Sequence, residues 1–176
     1  LNGTNTYTGA TLVSQGECRF GSAYRGASAV TVADGAKLGC WSEAAGASAK
    51  LVTATVGSSA GAGLSVSFTG QTGNPTSPAA YITNLTLNGT ISVQVAAVNL
   101  AVSATPIPLV RYVNLSGSGT LTNVSSGIGG YVTNNTVSKT IELVVTSITP
   151  LVWSGTPANT WDIGTSVNWK LGATPV

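Results

Sequence analysis

Leu64-Ser65-Val66-Ser67-Phe68-Thr69 sets an apolar side chain at every second position, with a hydroxyl between each pair. Successive side chains of an extended chain point to opposite faces, so Leu64, Val66 and Phe68 are expected to share one buried side of a strand. The same alternation spreads outward from this stretch. Ala29-Val30-Thr31-Val32 runs into Ala33-Asp34-Gly35, and Lys50 to Val56 runs into Gly57. Ile82 to Leu87, Ile91 to Val95 and Val137 to Thr146 repeat the pattern, which is the signature of short strands closed by glycine turns. Asn88-Gly89, lying between two such runs, signals a hairpin or tight turn, because both residues tolerate positive φ.

Two stretches depart from alternation. Val95-Ala96-Ala97-Val98 can be read as a short helix or as a strand buried on both faces, and the strand is preferred. Thr105-Pro106-Ile107-Pro108 lacks two amide donors and is expected at a bend or an edge, not in a central ladder. Gln71 to Ala79, with Pro75 and Pro78, reads as an exposed loop. No helix of ten or more residues is signalled. The expected class is all-β: a β-solenoid segment of parallel β-helix type, or else a β-sandwich or jelly roll with exposed edge strands. A single unit over 1–176 is expected, with 1–16 and 151–176 as candidate inter-subunit or inter-repeat strands.

Composition narrows the function classes. Only 7% of residues are charged, against about a quarter in an average domain, so hydration rests on Ser, Thr, Asn and Gly. The net charge of +2 comes from seven dispersed basic residues, which offers no phosphate-binding cluster and argues against nucleic acid. No apolar run approaches a membrane span. The chain has no Met and no basic-then-apolar leader, as expected of a mature or excised piece. Cys18 and Cys40 are read as a disulfide, whose loop closure would contribute about 3 kcal/mol; the alternative is two buried free thiols. Asn2, Asn84, Asn88, Asn114, Asn123 and Asn134 each begin an Asn-x-Ser/Thr triplet, a possible glycosylation signal that fits secretion.

Leu1-Asn2-Gly3-Thr4-Asn5-Thr6-Tyr7-Thr8-Gly9-Ala10-Thr11, followed by Val13 and Gly16, resembles the autotransporter-associated β-strand repeat. Val30 to Gly39 resembles the phrase that follows it in that family. Asn84 to Thr90 and Glu142 to Thr146 look like later parts of such a unit, and the tryptophan-rich stretch from Trp153 resembles the start of the next. The departures are Cys18 and Cys40, which the repeat does not normally carry, and a looser match over 50–150. The resemblance implies a very long secreted or surface-attached protein, a β-helix passenger with adhesive or structural roles, and it carries over no catalytic residue.

The residues themselves supply little chemistry. Histidine is absent, which removes Ser-His-Asp and Cys-His constellations and the commonest zinc ligand. Glu17, Asp34, Glu43, Glu142 and Asp162 are dispersed, so neither a glycosidase pair nor a metal site is expected, and no cofactor is expected either. Asp34-Gly35 and Asp162-Ile163-Gly164 are read as turns. Trp153, Trp161 and Trp169, eight residues apart, could form a carbohydrate-stacking platform; the preferred reading is that each anchors a separate short strand. The sequence therefore points to an extracellular structural protein, a fibre, filament or adhesin module assembling by β-strand stacking or complementation with copies of itself or adjacent repeats. A carbohydrate-binding module that contacts surface glycans through the tryptophans is the alternative. Open strand edges supply the physical motive for assembly.

Overall fold

The computed structural model describes residues 1–3, 5, 7–149, 151–153, 169–171 and 174–175. Ten strands alternate between two sheets: β1 (Thr11–Val13), β2 (Glu17–Gly21), β3 (Ala29–Val32), β4 (Lys37–Trp41), β5 (Ala49–Val56), β6 (Gly63–Thr72), β7 (Ala80–Leu87), β8 (Thr90–Val98), β9 (Ser103–Ser116) and β10 (Thr120–Asn123). Two more, β11 (Ile128–Asn135) and β12 (Thr140–Ile148), form an antiparallel hairpin. One sheet runs β1-β3-β5-β7-β9-β12-β11, and the other runs β10-β8-β6-β4-β2. Each strand from β1 to β8 pairs in parallel with the next but one, and within these two sheets only β12 runs antiparallel to its neighbours, β9 and β11. A third, small sheet joins β13 (Leu151–Trp153), β14 (Trp169–Leu171) and β15 (Thr174–Pro175). The described residues contain no helix, and so none long and apolar enough to cross a membrane.

Register explains the packing. Thr11, Val30, Ala54, Leu85 and Leu115 form one row across the first sheet. Successive strands of that sheet are therefore 19, 24, 31 and 30 residues apart. In the second sheet Cys18, Leu38, Leu64 and Val93 form one row, and Phe20, Cys40, Val66 and Val95 the next. These inward rows merge into one apolar cluster that also takes in Ile82, Leu87, Ile107 and Leu143. Each fully buried Val, Leu, Ile or Phe contributes about 1.5–3 kcal/mol of transfer free energy.

The alternation in Leu64-Ser65-Val66-Ser67-Phe68 behaves as expected on its apolar side, with Leu64 2% exposed and Val66 and Phe68 fully buried. Ser65 and Ser67 are buried as well, because they lie in register between Gly39 and Gln94 and between Trp41 and Ala96. Val95 to Val98 is strand, within β8, although Ala96 is exposed. Asn88-Gly89 is a tight turn with Gly89 at φ +67°; it carries the chain from one sheet to the other and makes no hairpin. The antiparallel hairpin lies instead at Asn135–Thr140, with Val137 95% exposed at its tip. Pro106 and Pro108 lie within β9, where it pairs with β12 and not with β7. The missing amide donors thus fall where β9 has one partner and the register with β12 shifts. Within Gln71–Ala79, Pro75, Pro78 and Ala79 are buried, so that loop is less exposed than its composition implies.

The turns leaving the first sheet stack backbone on backbone. Ala33, Gly57, Asn88 and Gly119 donate to the carbonyls of Val13, Val32, Val56 and Leu87 at 2.9–3.0 Å. This stack is why glycine recurs there: a Cβ on Gly61 would lie 2.1 Å from the Thr90 carbonyl oxygen. The polar outer face is also ordered by register. Asn114 donates to Asn84 at 2.8 Å, and the Thr86 and Ser116 hydroxyls meet at 2.8 Å.

Candidate functional site

The two ends of the paired sheets differ chemically. At the carboxy-terminal end, β11 is the last strand of the first sheet and β10 the last of the second. The Asn123 side chain donates from β10 to the Ile128 and Gly130 carbonyls of β11 at 2.9 and 3.3 Å. It thereby occupies edge acceptors that would otherwise be free. A bulge at Gly129/Gly130 further breaks the regularity of that edge, in the way sheets discourage further pairing.

At the amino-terminal end, β1 and β2 each have one partner among the described strands. Val13 spends its carbonyl on the Ala33 amide at 2.9 Å. In a parallel ladder the bonding residues alternate, so the amide and carbonyl of Leu12 face outward from the sheet. Its side chain is 68% exposed. On β2 the outward groups already have a partner: the Leu1 amino group donates to the Arg19 carbonyl, and Gly21 donates to the Leu1 carbonyl at 3.0 Å. That pair of bonds is the pattern of a parallel bridge between Leu1 and Phe20. Its 19-residue offset equals that of Thr11 and Val30. Leu1 thus occupies the first position of a further rung, in register. Tyr7 secures the same segment, its hydroxyl 3.0 Å from that of Thr11 and 3.5 Å from that of Tyr24.

The disulfide expectation fails. Cys18 and Cys40 are both free thiols. Register sets Cys18 opposite Leu38 and Cys40 opposite Phe20, so the two cysteines are displaced by two residues along the strand and one strand across. That places their Cα atoms about 8 Å apart, beyond the roughly 7 Å a disulfide spans. Burial pushes the Cys40 thiol up to about 12, with the Glu17 charge acting in the same direction. Partial burial also raises Cys18. Mass spectrometry of the unreduced chain is expected to find two free thiols. A brief alkylation of the native protein should label Cys18 well before Cys40, a difference that denaturation should erase; a mass two protons light would contradict this placement.

The six asparagines of the Asn-x-Ser/Thr triplets all have intramolecular partners. Asn2 accepts from Ala23, Asn84 from Asn114, and Asn134 from the Tyr112 hydroxyl at 2.6 Å. Asn88 donates to Gly57 at 3.2 Å, and Asn123 forms the edge clasp described above. Trp153 and Trp169 lie opposite one another in the β13–β14 pair, so two of the three tryptophans belong to separate short strands. Trp161 lies outside the described residues, as does Asp162.

The described carboxylates also have local partners. Glu17 pairs with Arg19 at 2.7 Å, Glu43 accepts from Asn2 at 3.3 Å, and Glu142 accepts from Ser138 at 3.0 Å. Asp34 sits in a turn whose Gly35 has φ +77°, and its carboxylate draws in the 57–61 loop of the next rung. It accepts from the Ser58 amide at 2.6 Å, the Ser58 hydroxyl at 2.5 Å, and the Ala60 and Gly61 amides at 3.2 and 2.9 Å. The Ser58 hydroxyl and amide hold its carboxyl well below the usual carboxylate range. This contribution to stability is complete above about pH 4, the unfolded carboxylate value, and is lost as pH falls below it. Asp34→Asn is therefore expected to reduce stability at neutral pH and to flatten the decline between about pH 4 and 2. Parallel acid profiles for both proteins, followed by circular dichroism, would show Asp34 to be uninvolved. Among the described residues no group of three His, Cys, Asp or Glu could hold a metal ion.

No protein-family model, curated protein or solved structure matches the chain.

Proposed function

We propose that the chain is an extracellular structural module, wound as a two-sheet β-solenoid, that joins a longer assembly through the β1 edge. The observation that carries this reading is the difference between its ends. Leu12 on β1 turns backbone groups outward that have no partner among the described residues, and Leu1 already sits on β2 at the register of another rung. At the opposite end Asn123 clasps β11. A further rung, from an adjacent repeat or a second copy, would satisfy the open edge as each internal rung satisfies its neighbour.

The alternation of strands between two parallel sheets supports a solenoid. The amino-terminal phrase that resembles the autotransporter-associated repeat, in a charge-poor surface, supports a secreted or cell-surface location. The free thiols remove the disulfide as a further argument for it. With one open edge among the described strands, the purified chain would form pairs, and a fibre or filament would require successive units. Sedimentation of the wild-type chain beside a variant with a blocked β1 edge tests the proposal; identical behaviour of the two would defeat it.

A further inference from the structure

Register brings Lys50 opposite Tyr81 and Tyr81 opposite Arg111 on the outer face of the first sheet. The three lie on adjacent strands, about 4.8 Å from one to the next. All are exposed, Tyr81 by 39%, and the Arg111 guanidinium carbon is 5.9 Å from the centre of the Tyr81 ring. Two hollows border that residue. One, of about 490 Å³, is lined by Arg111 and by a wall of hydroxyls and prolines that includes Ser77 and Thr105. The other, of about 270 Å³, is shared with Lys50 and Arg25. Tyr81 borders both, so a groove crosses the strands from Arg25 to Arg111.

Charge follows the groove. Three of the chain's seven cationic side chains line it, and the ion pair found among the described residues, Arg19 with Glu17, lies elsewhere. Ser22 and Tyr24 carbonyls fix one nitrogen of Arg25 at 2.6 and 2.7 Å, which presents its positive charge from a rigid corner. Glu142 also lines the larger hollow, but it is 9% exposed and its carboxylate is engaged by Asn135 and Ser138.

We propose that this groove binds a linear anionic polysaccharide. The Tyr81 ring offers an apolar face for a pyranose C–H surface, and Arg111 beside it can hold a carboxylate through two parallel hydrogen bonds. Lys50 lies one strand spacing beyond Tyr81, a step comparable to one sugar residue of an extended chain, and Arg25 lines the same hollow as Lys50. The hydroxyl-rich wall suits sugar hydroxyls. The site is separate from the β1 and β2 edges, and it stands whether or not the assembly reading does.

Calorimetric titration of the full chain at low salt tests it, using a polygalacturonate oligomer beside a neutral glucan, dextran sulfate and single-stranded DNA. Polygalacturonate is expected to bind, the neutral glucan not to bind, and affinity to fall with added salt. Tyr81→Ala and Arg111→Gln should each weaken binding roughly tenfold, while Tyr81→Phe retains it. Lys37→Gln, which removes the same charge from the other sheet, should leave it unchanged. Equal binding of dextran sulfate through Tyr81 and Arg111 would support the site with charge as the discriminator. Preference for DNA would overturn the proposal, as would loss of affinity equal in Lys37→Gln and Arg111→Gln, or no binding of either acidic glycan.

Discussion

Gly61→Ala is expected to lower unfolding stability by about 3–5 kcal/mol, from strained backbone together with steric overlap. Gly61 holds φ at +100°, where a side chain is disfavoured. An added Cβ would also lie 2.1 Å from the Thr90 carbonyl oxygen and 2.4 Å from its amide nitrogen. Neither contact can be relieved by turning a side chain, because both partners are backbone of the next rung. Displacing either rung would disturb the amides that Asp34 holds and the bond from Gly35 to the Gly61 carbonyl at 2.9 Å. Gly73→Ala separates the two effects. Gly73 has φ +79° but no atom within 4 Å of its Cβ position, so only the conformational cost of about 1–2 kcal/mol applies. Urea unfolding of both variants measures the difference. Equal losses would mean that the turns are not stacked as tightly as described.

Leu12→Pro is expected to abolish association through the β1 edge while leaving the fold intact. Proline removes the amide donor and projects its ring where a partner strand would lie, and it is tolerated on edge strands for the same reason. Leu12 is a suitable position because its neighbour Val13 carries the bond to Ala33, so the existing ladder loses no donor. The exposed leucine side chain also buries little. Stability should change by less than about 1 kcal/mol, whereas the association constant should fall below detection. A variant that still associates would place the contact elsewhere; one that unfolds would show that Leu12 supports the ladder.

Much of the strand content was legible because alternation has a period of two wherever one face is buried. Leu64, Val66 and Phe68 declared their face, and Ala29–Val32 even matched its observed limits. Pairing was harder to read, because rung length grows from 19 residues to about 30 and so offers no fixed repeat. The cysteines show the consequence. They are 22 residues apart in sequence, whereas β2 and β4 are offset by 20, and those two residues turn a plausible disulfide into two thiols. Asn88-Gly89 illustrates a second limit: the same positive-φ turn serves a hairpin or a corner between sheets, and only long-range pairing selects between them.

The candidate sites were less visible still. Leu1 on Phe20 and the Lys50-Tyr81-Arg111 line are products of register across 19 to 31 residues, and the Asn123 clasp, though only five to seven residues long, depends on β10 and β11 lying in different sheets. The tryptophans had an obvious spacing, yet Trp153 and Trp169 are joined by strand pairing and not by a single extended segment. Low charge density was informative in a different way, because it makes a line of three cations on one face stand out once the fold aligns them.

The central claim, that assembly proceeds from one end alone, is tested most directly by sedimentation equilibrium of the wild-type chain over a wide concentration range. Two chains meeting through their β1 edges form a closed two-fold pair, with each clasped β11 edge facing outward. The expected result is a reversible monomer–dimer equilibrium with no larger species. A monomer at every concentration, or a mass that keeps rising as open-ended polymers form, would contradict it.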